Sequence, residues 1–369
     1  MGCLAEQNKG GAPAEGQRGG HLRSETAQAQ PWPLTPDNRG MEFFKRLSPK
    51  TIGIAAAVIT IAIWTSFIVV ARLMALKSLT PLDIVACRIV GAALLLLPWG
   101  FFMVRKMRVA NPQAETSLWI SPLPLKLTVL LGLFGGVGYA VLAYSAFTFA
   151  PAAHGSVLMP GLLPLSTALL SVLLLNEVLN KGRKLGLLLI ACGGLLVGGA
   201  SLLQAYADSA LGGSVWKGDL LFVCASSCWA FYTVLCRKHK LEAVPTTIAV
   251  IVFCVLAFVP LYALLAGAGV LVSKLATAPL WEIAFQMFYQ GMGSVVISGI
   301  AFTQMIRYFG PVRSTMLTAI VPGLSALGAV IFLGEPLGWN LMAGLALVTL
   351  GIIVGVRAAS TPVLVGAKA

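Results

Sequence analysis

The sequence predicts an all-α polytopic membrane protein with ten transmembrane helices arranged as two inverted five-helix repeats. Three observations carry this fold class. The 369 residues are 58% hydrophobic and 11% charged, with mean hydropathy +0.88, whereas soluble domains carry roughly 25% charged residues. Apolar stretches of about 20 residues, long enough to cross a bilayer as a helix, recur along the whole chain. Finally, Pro164 and Glu177, thirteen residues apart, return 158 residues later as Pro322 and Glu335.

The elements follow in order. Residues 1–50 are a cytoplasmic N-terminal tail, rich in Gly, Gln, Pro and Ala without helical periodicity, and read as disordered. It lacks the charged start and apolar core of a cleaved signal peptide, and "MGCLAE" lacks the Ser or Thr of a myristoylation signal. Met41 opens "MEFFKRLSPK", a cytoplasmic lead-in to the first span, and translation is expected to begin there; intact mass of the native protein tests this. Spans are expected at about 51–74, 82–104, 125–149, 153–175 and 185–203, forming the first repeat (51–203). The second repeat (218–357) holds spans at 218–236, 246–268, 282–306, 311–333 and 338–357. Residues 358–369 form a C-terminal tail.

Orientation follows from charge. Net charge is +13, and all but five of the 26 Lys and Arg fall on one side if the N-terminus is cytoplasmic. The five are Arg72, Lys77, Lys217 and Lys274 on the opposite side, and Arg88 within the second span. This positive-inside bias places both termini in the cytoplasm. The basic charge is therefore topological, and nucleic acid is not an expected partner. Of seven cysteines, none forms a CxxC. Cys224 and Cys228 share a helix face but lack a neighbouring His or carboxylate, so they read as packing residues and no metal site is expected.

The repeat organises the rest. The 158-residue offset also carries Ser156 to Ser314, Gly186 to Gly344 and Gly193 to Gly351, and an offset of 165 carries Trp64 and Arg72 to Trp229 and Arg237. Five spans per half, an odd number, insert the second copy upside down. Inverted repeats build many secondary transporters, with the substrate site near the midplane between the halves.

The segments "LTPLDIVACRIVGAALLLL" (79–97), "AYSAFTFAPAAHGSVL" (143–158), "LLLNEVL" (173–179), "FYQGMGSVVISG" (288–299) and "RYFGPVRSTMLTAIVPGLSALGAVIFLGEPL" (307–337) occur in order and in duplicate. Over about residues 50–357 the chain resembles the EamA family of the drug/metabolite transporter superfamily. The resemblance implies a bacterial inner-membrane carrier of small metabolites, often an exporter, working by alternating access.

Several residues are candidates for the substrate site. Trp64 and Trp229 sit mid-span at matched positions, with Phe67 and Tyr232 three residues on. An indole N–H at that depth needs a partner or a water-filled cavity. Gln286, Gln290, Ser294 and Ser298 recur every four residues in the eighth span, which puts them on one helical face; amides in hydrocarbon are costly, so that face is expected to turn inward toward the pathway. Arg88 lies about two turns inside the second span and either snorkels to the interface or acts as counter-ion to a substrate carboxylate. Pro160, Pro164 and Pro322 lie within spans, where each frees the carbonyl four residues earlier, and they are expected to kink or hinge their helices. Glu177 and Glu335 sit in the turns between fourth and fifth spans and favour the next helix dipole, while His154 reads as local structure. Gly194xxxGly198 and Gly351xxxGly355 let the fifth and tenth spans approach another helix closely, within one chain or between two copies in a homodimer.

The expected function is a secondary transporter moving a small organic metabolite by alternating access, an exporter of amino acids or related solutes, with the solute and the lipid bilayer as partners and no cofactor. There is no GxxxxGK[ST], HExxH or GxSxG, so catalysis is not expected. The alternative is a non-transporting membrane scaffold or a lipid-modifying membrane enzyme.

Overall fold

The computed structural model describes residues 49–207 and 214–359. The expected disordered tail, the start at Met41 and the C-terminal tail beyond residue 359 lie outside the described residues. Ten helices cover nearly everything else: α1 Pro49–Ala75, α2 Pro81–Ala110, α3 Leu125–Phe149, α4 Ala152–Leu175, α5 Lys181–Ala207, α6 Val215–Lys238, α7 Ala243–Gly267, α8 Leu280–Met305, α9 Val321–Leu333 and α10 Trp339–Ala359. Among the described residues nine are long and apolar enough to cross a membrane, and α9 is shorter.

The ninth span departs from expectation. A helix over 311–333 was expected, but helix continues from α8 to Thr318 and then restarts at Val321 after a turn at Ala319 and Ile320. Contacts with α1 show the path. Phe302 meets Trp64 at 5.0 Å and Tyr308 abuts Gly53, so the chain first runs antiparallel to α1. Ser325 then donates to the Thr65 carbonyl at 3.3 Å and Gly328 faces Val69, so it returns parallel to α1. The direction reverses between Tyr308 and Ser325, and the ninth crossing is split by the restart.

The fourth span is split at the matching place. Leu162 and Ile320, 158 apart, have nearly the same backbone (φ −82°, ψ −9° and φ −76°, ψ −20°), and new helices begin at Leu163 and Val321. Pro164 and Pro322 are therefore second residues of helices, where no intrahelical bond needs the missing N–H. The fourth and ninth spans are therefore interrupted next to these prolines, as a restart of the helix instead of a bend within one continuous helix. Pro160 lies in a π-helical turn, Val157–Gly161, just ahead of the break.

Both split helices also end alike. Asn176 and Gly334 take the left-handed conformation (φ 53° and 66°), and the next N–H, of Glu177 or Glu335, reaches back to Ser171 or Ala329 at 3.3 Å. That geometry satisfies the last carbonyls of the helix. Asn and Gly are the two residues that tolerate it best.

The two repeats interlock rather than sit side by side. The first helix of each repeat packs on the third and fourth of the other: α1 against α8 and α9, α6 against α3 and α4. The second helices do likewise, α2 on α8 and α7 on α3, and α5 runs along α10. The small residues of α5 and α10 close on each other within one chain. A Cβ on Gly186 would lie 2.6 Å from the Gly351 carbonyl oxygen, and one on Gly193 2.6 Å from that of Gly344.

Candidate substrate cavity

Between the repeats lies a cavity of about 780 Å³. Ligand sites typically occupy about 300–1,000 Å³. Its wall draws on both halves. Trp64, Phe67 and Arg88 come from α1 and α2, Gly135 and Tyr139 from α3, and Met159, Pro160 and Leu163 from α4. Trp229, Tyr232, Cys254, Ser294, Ser298, Phe302 and Val321 come from the second half. Leu163 and Val321 are the first residues of the two restarted helices, so the matched breaks bring their backbone into the wall. Irregular helix at membrane depth is tolerated where it lines a cavity, and π turns at Leu133–Gly138, Cys254–Phe258 and Met287–Ile297 add to it.

The aromatic residues pair across the repeats. Trp64 meets Phe302 at 5.0 Å and Trp229 meets Tyr139 at 4.7 Å, while Trp229 also meets Tyr232 at 5.0 Å. Each tryptophan of a first helix thus leans on the third helical segment of the other half. Arg88 does not run to the interface. Its Nη1 donates to Ser294 Oγ at 3.1 Å and to Tyr144 Oη and the Gln290 carbonyl at 3.4 Å, and its guanidinium stands 5.8 Å from the Phe67 ring centroid.

The wall runs out, at one end, to Leu241 and Glu242 at the link between α6 and α7, and Glu242 is exposed. Away from that rim, three contacts join the two repeats. The fully buried rings of Phe147 and Phe222 meet at 4.8 Å. His154 Nδ1 lies 3.0 Å from Asp219 Oδ1. Glu335 accepts from Arg72 Nε at 3.3 Å and from the backbone N–H groups of Ala152 and Ala153 at 3.1 and 3.2 Å. Glu335 therefore caps α4 of the first repeat. This corrects the expectation that it serves the helix that follows it: the left-handed turn at Gly334 swings it toward α4. Arg72 also donates to the Phe147 carbonyl. The matched pair, Arg237 with Glu177, lies at the opposite end and is more exposed.

The sequence matches the profile of the EamA-like transporter family twice, over residues 51–199 and 216–357. The chain belongs to the EamA-like transporter family. The two matches correspond to the two interlocked halves described above. Among curated proteins it is similar to "Uncharacterized transporter YyaM" of Bacillus subtilis (strain 168), 26% identical over 228 residues, which are 61% of this chain and 71% of that protein. A crystal structure is similar in fold with TM-score 0.50 and 19% identity, covering 85% of this chain and all of that one. The protein is thus a membrane transporter by family, and nothing in the family points to catalysis.

In this EamA chain the structure brings together Trp64, Phe67, Arg88, Trp229, Tyr232 and Ser294 in one wall, with Pro160 beside them. Pro164 and Pro322 stand one residue behind the wall residues Leu163 and Val321. Gln286 and Gln290 are not in the wall. Both are fully buried, and no protein group hydrogen-bonds their amide atoms. The stripe is divided along its length: Ser294 and Ser298 reach the wall, while Gln286 and Gln290 lie in the packed part of the helix.

Leucine nearly matches glutamine in volume, and an unsatisfied buried amide costs about 1–3 kcal/mol. Gln290→Leu is therefore expected to keep the folded yield and to melt at or above the wild-type temperature in detergent. A drop of several degrees would show that the amide is satisfied and structural. Transport by the same variant is expected to be retained, because the contact with Arg88 is made by the Gln290 main-chain carbonyl, which leucine keeps.

Tyr139 and Phe302 join the wall without a sequence signal, since aromatic residues are common in apolar spans. Glu282 did have one: it stands four residues before Gln286. It is buried and accepts from Ser78, tying α8 to the link between α1 and α2. Asp83, by contrast, serves α2 itself. It forms a reciprocal capping box with Thr80 and accepts from Tyr262, Ser273 and the Lys274 N–H.

Proposed function

We propose that the protein is a secondary carrier that moves a small organic metabolite across the bacterial inner membrane by alternating access. Export of amino acids or related solutes is the reading the family favours, and the charge bias favours both termini in the cytoplasm. The observation that carries the reading is the cavity between two inverted repeats, reaching an exposed rim at one end, with three contacts away from that rim that all cross between the repeats. Rocking one repeat against the other parts those contacts and closes the rim, which alternates the exposure of a fixed site. On the positive-inside orientation the rim faces the cytoplasm, the loading side of an exporter.

Counterflow in proteoliposomes tests this. Vesicles are loaded with unlabelled amino acids and related metabolites, and entry of the labelled partner is followed. No ion gradient is needed, so uncertainty in coupling does not mask activity. Transient accumulation of a label supports a carrier, and absence of accumulation with folded protein across the panel favours a non-transporting scaffold or enzyme. Trp64→Ala and Trp229→Ala are each expected to cut the counterflow rate about tenfold at low solute, the equivalent of about 1.4 kcal/mol of lost contact. Unchanged rates in both would remove the aromatic wall from the site.

A further inference from the structure

Arg88 raises a question of charge. Among the described residues it has no carboxylate within ion-pair distance. Its hydrogen-bond partners are neutral: one hydroxyl at 3.1 Å, one phenol and one carbonyl at 3.4 Å, all on Nη1. Nε and Nη2 meet no acceptor of the described protein, and Arg88 lines the cavity. The one acid in the wall is Glu242, exposed at the rim rather than at the inner end. The inner cavity therefore carries a single uncompensated positive charge.

An unpaired guanidinium at membrane depth is costly, and such charges mark ligand counter-ions and pathways. Its planar fork matches a carboxylate with two parallel hydrogen bonds. The surrounding wall, Trp64, Phe67, Tyr139, Trp229, Tyr232 and Phe302, suits an aromatic or bulky apolar body.

We propose that the cavity selects organic monoanions, a carboxylate on an aromatic or apolar skeleton held by Arg88, over zwitterions and cations of the same skeleton. An α-ammonium beside the carboxylate would sit next to the guanidinium with no acid to meet it. The nearest acceptors, Ser294 Oγ and the Gln290 carbonyl, already face Arg88. A bare ammonium on the same skeleton would gain cation–π contact with the rings but would lose the pairing with Arg88 and be repelled by it. The inference rests on the carrier reading but departs from its amino-acid class, replacing it with carboxylates that lack a free ammonium.

Three probes share one skeleton and differ only in charge: 3-phenylpropanoate, phenylalanine and 2-phenylethylamine. Binding to the purified full-length protein in detergent is measured by calorimetry, and counterflow of each is measured in proteoliposomes. The expected order is phenylpropanoate at least tenfold tighter than phenylalanine, with the amine weakest. In Arg88→Gln the three converge to within about threefold. If that variant does not fold, Arg88→Lys serves: it keeps the charge and loses the fork, so the order survives with weaker anion binding.

Tighter binding of phenylalanine or the amine, an unchanged order in Arg88→Gln, or no binding of any probe overturns the proposal. Selective anion binding without counterflow would uphold the site and sink the carrier reading. Counterflow of zwitterion or amine without anion preference would do the reverse.

Discussion

Gly186→Leu is expected to abolish the folded protein. Its Cβ would fall 2.6 Å from the Gly351 carbonyl oxygen and 2.7 Å from the Gly355 nitrogen. Both are backbone atoms of the facing helix, so no rotamer change relieves the clash, and α5 and α10 must separate along their length. Overpacking of a tight interior costs about 1–3 kcal/mol where side chains can give, and more where only backbone can move. Against a typical net stability of about 5–15 kcal/mol, with adjoining layers disturbed as well, most of the monodisperse yield should go. Gly198→Leu is the control, because a Cβ there has nothing within 4 Å. It is expected to leave yield and melting temperature within error of wild type. Equal losses in the two variants, read by size exclusion and thermal melting in detergent, would sink the assignment of the α5–α10 seam.

The second large effect concerns the contacts away from the rim. Glu335→Ala removes the partner of Arg72 and uncaps two N–H groups of α4 at once, with both charged side chains mostly buried. Breaking a buried pair by deleting one partner costs about 3–5 kcal/mol, so a fall in melting temperature of many degrees is expected, with transport lost in proportion. The exchange Arg72→Glu with Glu335→Arg restores opposite charges but is not expected to rescue stability. An arginine at 335 donates and cannot accept from Ala152 and Ala153. Full rescue by the exchange would show that the ion pair alone matters. At the opposite end Arg237→Ala is expected to cost less than about 1 kcal/mol, since that pair is half exposed.

The matched sites differ in exposure at the two ends of the molecule. Arg72 and Arg237 are equivalent in the sequence, as are Glu335 and Glu177, and each arginine reaches the glutamate of the other repeat. One pair is nearly enclosed beside Phe147 and Phe222, and the other stands near the open rim. This asymmetry between symmetric sequences is what an alternating cycle would exchange.

Much of the architecture was legible beforehand. Spans announce themselves because a helix in a bilayer must be about 20 residues long and apolar throughout. The duplication shows as constant offsets, and odd span counts dictate inversion. Trp64, Trp229 and Arg88 stood out because polar atoms at membrane depth are expensive. Their gathering in one wall was not legible, and neither were their partners Tyr139 and Phe302. The four-residue stripe from Gln286 to Ser298 was legible as a polar face, but not where along it the cavity begins: only Ser294 and Ser298 reach the wall. The prolines marked the breaks in the fourth and ninth spans, but not their form, since Pro inside a span and Pro at the second position of a restarted helix have the same local sequence.

By itself, then, the sequence determined the membrane class, the repeat and its inversion, and the residues whose chemistry is out of place in lipid. These follow from local rules of hydropathy, spacing and charge that act on each segment alone. Only the tertiary structure decided which glycines of "GGLLVGG" meet backbone, which acid caps which helix, and that Arg88 faces a cavity without a counter-charge. Those properties depend on what approaches a residue from the other repeat, and no segment encodes its distant neighbour. The interlock of the two halves supplies that neighbour, so the candidate site belongs to the pair of repeats and to neither one alone.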